Sequence, residues 1–92
     1  MKKLILLLFI PLVSFGQTKF EYYESGAVKS KSNWFDGKLQ GEMIMYYESG
    51  VVRAIGNYVD GIKNGKRIRY NKSGEVVDEV NYLDGRATHD KP

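Results

Sequence analysis

Few residues in this chain could do chemistry. His89 is the single histidine among 92 residues, and cysteine is absent. His89 lies in a polar C-terminal stretch without periodicity and reads as a lone surface histidine. Ser25, Ser49 and Ser73 recur, but no histidine is placed to activate them as nucleophiles. Asp36, Asp60 and Asp84 also recur, each just before a glycine. A calcium site needs several oxygens converging on one ion, and this spacing gives each aspartate its own turn instead. A phosphate-binding loop needs glycines opening a helix, whereas these glycines punctuate extended segments. No catalytic residue, cofactor-binding residue or metal ligand is therefore expected. Nucleophile, base and orienting group do not occur together, so the chain reads as a non-enzyme.

Aromatic and methionine side chains remain. Tyr23, Met43, Met45 and Tyr47 form a stripe that reads either as partly covered core or as a contact surface. Exposed apolar stripes mark protein contact. The two tyrosine hydroxyls would also suit a glycan.

These residues are positioned by a repeat. Tyr22-Tyr23-Glu24-Ser25-Gly26 returns as Tyr46-Tyr47-Glu48-Ser49-Gly50, then as Tyr70-Asn71-Lys72-Ser73-Gly74. Asn33-Trp34-Phe35-Asp36-Gly37 returns as Asn57-Tyr58-Val59-Asp60-Gly61, then as Asn81-Tyr82-Leu83-Asp84-Gly85. The offset is 24 residues in every case. Runs of apolar and aromatic residues between turn signals predict strands over 20–23, 27–35, 42–47, 51–59, 66–70 and 75–83. Glycine at 26, 50 and 74 permits positive φ in the first turn. Asp-Gly starts the second connection, which ends near Gly41 or Gly65. Such short connections force antiparallel neighbours. The expected fold is all-β, an elongated, curled antiparallel meander of six strands. Its units are approximately 20–43, 44–67 and 68–85, and a flexible tail follows over 86–92.

The two-residue strand period sets the faces. Phe20, Tyr22, Ile44, Tyr46, Ile68 and Tyr70 form a set that stays apolar in all three units, and it is expected to be the better buried. Ala54 and Gly56 leave space that tyrosines from neighbouring strands should fill. Glu75, Asp78 and Glu79 in the last strand discourage edge pairing there. The first strand lacks such protection and is open to pairing with a second copy.

Residues 1–16 have the parts of a secretory signal peptide. Lys2 and Lys3 are the positive region, and Leu4 to Phe15 is the apolar run. Ser14 and Gly16 are the small residues before a cleavage at Gln17. The run is shorter than the roughly 20 residues of a membrane-spanning helix. The expectation is export across the inner membrane to the periplasm or exterior. Losing Lys2 and Lys3 takes lysine plus arginine from 14 to 12 against 11 aspartate plus glutamate, a net charge of +1 instead of +3. Nucleic-acid binding then loses its electrostatic support.

The pattern Tyr-Tyr-x-x-Gly, a strand, then Asn-(Tyr/Trp)-x-Asp-Gly-x-x-x-Gly resembles the MORN repeat family, and more closely the bacterial MORN repeat variant proteins. It runs through Tyr22–Gly41, Tyr46–Gly65 and Tyr70–Gly85, the last without the closing glycine. The resemblance implies an elongated curved sheet, scaffolding or protein contact and, in some members, lipid-linked roles. It also implies an antitoxin label, which assumes an intracellular toxin and sits poorly with an export signal. The leading expectation is an exported, non-enzymatic interaction or scaffold module with an unidentified protein partner. An antitoxin-like inhibitor, or a protein that contacts lipid, glycan or the envelope surface, is the alternative.

Overall fold

The computed structural model describes residues 16–88. Residues 1–15 of the expected leader, and His89, lie outside them. The strands are β1 (Gln17–Tyr22), β2 (Val28–Phe35), β3 (Lys38–Leu39), β4 (Gly41–Tyr46), β5 (Val52–Val59), β6 (Ile62–Lys63), β7 (Gly65–Tyr70), β8 (Val76–Leu83) and β9 (Arg86–Ala87). They form one antiparallel sheet in the order β1-β2-β4-β5-β7-β8-β9, with β3 on β2 and β6 on β5. The six expected strands are present. β3, β6 and β9 are short additions, and Arg86–Ala87, expected to fray, pairs with Tyr82 and Leu83.

The additions follow from the Asp-Gly turns. Asp36 and Gly37 both have positive φ, 53° and 76°, and Asp60-Gly61 and Asp84-Gly85 repeat this. Two left-handed residues in a row make a two-residue hairpin turn that suits strand twist. The chain therefore reverses at once, and Lys38 pairs with Phe35. At the other end of each unit, Glu-Ser-Gly, or Lys72-Ser73-Gly74 in the third, closes a longer turn. Gly26 N–H donates to Tyr23 C=O at 2.9 Å, and Tyr23 N–H donates to Ala27 C=O at 2.9 Å.

The ladder is uneven. Within the hairpin β4–β5 it runs from Gly41 opposite Tyr58 to Tyr46 opposite Val52. Between hairpins it lapses. Trp34 faces Leu39 and Lys31 faces Ile44, so residues 32 and 33 on β2 stand against residues 40 to 43 on the returning strand. Side chains close the gap. Asn33 Nδ2 donates to the Glu42 carbonyl at 3.3 Å, and Asn57 Nδ2 donates to Lys66 at 2.9 Å. The Tyr23 hydroxyl donates to the Tyr46 carbonyl at 2.6 Å, and Tyr47 to Tyr70 at 2.8 Å. Gly61 N–H donates to Leu39 C=O at 2.8 Å. The recurring Asn and the second Tyr are therefore clips between successive hairpins.

Register defines two faces. One carries a row across the sheet: Phe20, Lys31, Ile44, Ile55, Ile68 and Glu79. The other carries Glu21, Ser30, Met45, Ala54, Arg69 and Asp78. The expectation that the Phe20–Tyr22 set is the better buried does not hold. Phe20 and Tyr22 are exposed on the edge strand, and Ile44, Tyr46, Ile68 and Tyr70 are half-buried like Met43, Met45 and Tyr47. A single sheet has no second layer, so neither face is sealed. Among the described residues no hydrophobic side chain is fully buried, and the buried ones are Ser30 and Ser32. The space over Ser32 and Gly56 is filled from within the strand. Trp34 folds back so that its Nε1 donates to Ser32 Oγ at 2.8 Å. A Cβ on Gly56 would lie 3.5 Å from the Tyr58 ring.

A stabilising role for the tyrosine clip is testable by thermal unfolding. Tyr47→Phe should cost about 1 kcal/mol, a fall in midpoint of roughly 4–8 °C for a chain this small. Tyr22→Phe, on the exposed edge, should leave the midpoint unchanged.

Candidate contact groove

Two adjoining recesses lie on the face that bears the methionines. The larger has a volume of about 450 Å³ and is lined by residues that include Met45, Tyr47, Ala54, Arg67, Arg69 and Tyr70. The smaller, about 160 Å³, adds Met43, Gly56, Tyr58 and Lys63. Met45, Ala54 and Arg67 belong to both. The groove exists because β5 places small residues between two strands with long ones. Ala54 stands opposite Met45 on one side and Arg69 on the other, and Gly56 stands opposite Met43. Long side chains from β4 and β7 rise around a low floor.

Of the four stripe residues read from the sequence, Met43, Met45 and Tyr47 come together here. Tyr23 does not line either recess. It sits one unit away, half-buried, with its hydroxyl given to Tyr46 and Lys29 Nζ 5.6 Å from its ring centroid. Tyr47 likewise spends its proton on Tyr70, so its ring, not its hydroxyl donor, faces a visitor. Arg67 and Arg69 are the residues that sequence reasoning missed as site members. Register was the usable signal, because a 24-residue offset sets β7 beside the small residues of β5.

The groove is cationic. Arg53, Lys63, Arg67 and Arg69 line the recesses and no acidic residue does. Arg69 is partly neutralised from the rim. Its Nε donates to Asp78 Oδ1 at 3.0 Å, and a second guanidinium nitrogen meets Oδ2. The hydrogen bond from Arg69 holds the Asp78 carboxyl below its ordinary range, and the same bond raises the arginine. Arg67 has no carboxylate partner among the described residues and reaches the Tyr82 hydroxyl at 3.3 Å. Lys63 Nζ stands 5.0 Å from the Tyr82 ring centroid. Methionine supplies an adaptable apolar wall and arginine a planar donor fork. Among the described residues no cluster of three or more His, Cys, Asp or Glu could hold a metal ion.

The Asp78–Arg69 pair has a signed pH consequence. Asp78 is depressed in the folded state, so its contribution is present above the unfolded carboxylate value of about 3.9. It is lost as pH falls through the lower folded value. Wild type should therefore lose thermal stability across that acid window, and Asp78→Asn should lose less. The difference is small because the pair is solvent-exposed. Unfolding midpoints from pH 7 down to pH 2 would measure it.

Comparison with known proteins gives one match. The family model described as "MORN repeat variant" aligns with residues 39–60. No curated protein and no solved structure matches the chain. The matched span runs from the end of β3 through β4 and β5 to the Asp60 turn, the central hairpin of the sheet. Residues 39–60 are thus similar to the MORN repeat variant, and the flanking hairpins repeat the turns and the bulge of this central one.

Proposed function

We propose that the protein is a non-enzymatic, exported contact module that binds an acidic, extended segment of a partner protein in the methionine–arginine groove. One observation carries this reading: a groove floored by Ala54 and Gly56 and walled by Met43 and Met45 is edged by four cations with no acidic lining residue. An extended peptide with an apolar side chain and flanking carboxylates matches both features. Apolar anchoring gives affinity, and charge complementarity gives orientation and on-rate. Scaffolding fits a chain whose repeats leave both sheet faces partly open. Export is supported by the order of lysines, apolar run and small residues at the N-terminus.

Two measurements test this reading. Affinity capture from envelope extract should return a saturable partner that contacts the groove by cross-linking. Met45→Glu combined with Arg67→Glu should reduce its retention by at least tenfold while leaving the β-sheet circular dichroism unchanged. Equal retention by the variant would refute the groove as the site. Intact-mass analysis of the protein recovered from its host should show a chain beginning at Gln17.

A further inference from the structure

The two edges of the sheet differ. β8 is a guarded edge. It bears Asp78 and Glu79, and β9 covers its end. Asn71 stands where the inner units have Tyr23 and Tyr47, so the hydroxyl clip to a following unit is missing. The Asn71 side chain turns inward, accepting from Ser73 N–H at 2.9 Å and Glu75 N–H at 3.0 Å. β1 is unguarded. All six of its residues are exposed, it contains no proline, and its bulge comes only at Glu21/Tyr22.

The outward backbone groups of β1 follow from the Asp36-Gly37 turn. That turn makes Phe35–Lys38 the closing pair, and Gln40 N–H donates to Asn33 C=O at 2.8 Å. Asn33 thus points its main chain toward β3. Antiparallel alternation turns Ser30, Ser32 and Trp34 toward β1. Their partners Glu21, Lys19 and Gln17 point back at β2. The N–H and C=O groups of Thr18 and Phe20 are left facing solvent.

The geometry points to a two-fold dimer in which β1 pairs antiparallel with β1 of a second copy, with Phe20 opposite Phe20 on the dyad. Charge selects this register. With Phe20 on the dyad, Lys19 of each chain lies opposite Glu21 of the other, twice over. Moving the dyad one residue puts Lys19 against Lys19 or Glu21 against Glu21. Like charges directly opposite destabilise a strand pair. Neither Lys19 nor Glu21 is in an ion pair among the described residues; Lys19 Nζ lies over the Trp34 ring at 4.8 Å, and Glu21 accepts from Ser30 Oγ at 3.2 Å. Phe20 and Tyr22, exposed by 48 % and 59 % and stacked with centroids 6.5 Å apart, would gain a facing pair across the dyad.

Head-to-tail growth is the competing arrangement, and the repeat predicts its register. Ala54 and Ile55 face Arg69 and Ile68. One unit on, Asp78 and Glu79 would face Glu21 and Phe20 of the next copy. That sets carboxylate against carboxylate, and a second carboxylate against an aromatic ring. The β1–β1 contact is isologous and closes on itself, so it gives dimers and not fibres. A six-residue edge is smaller than a standard interface of about 1,600 Å², so dimerisation should depend on concentration.

The test uses the chain as it accumulates after expression with its own leader. Sedimentation equilibrium should show mass rising toward twice the monomer with concentration. Lys19→Glu and Glu21→Lys should each hold the protein monomeric, and the double swap should restore the dimer. The chain has no cysteine, so Phe20→Cys gives a clean second readout that does not need the charge variants to fold. It should oxidise to a disulfide-linked dimer, because paired Cα atoms about 5.5 Å apart suit that bond. Thr18→Cys should not, since its partner is Tyr22 of the other copy. Three results would overturn the dimer. One is monomer mass throughout with no Phe20→Cys cross-link. Another is equal dimerisation by the single and double swaps. The third is cross-linking of Phe20→Cys to Glu79→Cys in a mixture.

Discussion

The structure depends on how the hairpins are joined where the backbone ladder lapses. At each junction the returning strand has two residues too many for simple pairing. Main-chain groups there would go unpaired, and unpaired polar groups shielded from water are costly. The repeat answers with its own side chains. An asparagine amide and a tyrosine hydroxyl from one hairpin each take a carbonyl of the next. The excess residues also let the strand turn out to form β3 and re-enter as β4. Repeat spacing, junction chemistry and the extra short strands are thus one solution to one mismatch.

This accounts for a fold that has little apolar interior. A single sheet of this size cannot enclose side chains on either face, and serine is its most buried residue type. Cohesion comes from the ladders, the clips and local cover. Trp34 and Tyr58 lean back over the small residue two positions earlier, and Lys19, Lys29 and Lys63 lie over aromatic rings. Each such contact is worth about 1 kcal/mol or less. The same thinness leaves room for a groove. A second layer would have covered the methionines, and among the described residues none packs on them as one.

Strand positions, turn glycines and the meander were legible because the period repeats without a gap. Burial was not, because apolar constancy at Phe20, Ile44 and Ile68 says nothing about whether a second layer exists. The Asp-Gly turns were recognised, but not that Asp36 would take positive φ and reverse the chain within two residues. The asparagine at 33 and 57 was visible as a repeating letter, and its task became clear only with the ladder's register in hand. Met43, Met45 and Tyr47 were readable as a stripe. That Arg67 and Arg69 complete it required pairing β7 to β5, a relation between units that no single unit displays.

Asn71 has a consequence for how such a chain can change in length. Each inner unit hands a tyrosine hydroxyl forward to its successor, and the last unit has no hydroxyl to give. Residues added after β9 would meet an edge with one clip missing and two carboxylates present. A whole unit duplicated between β2 and β7 would inherit both a donor behind it and an acceptor ahead. The sheet can therefore lengthen from its middle while β1 and β8 keep their different characters.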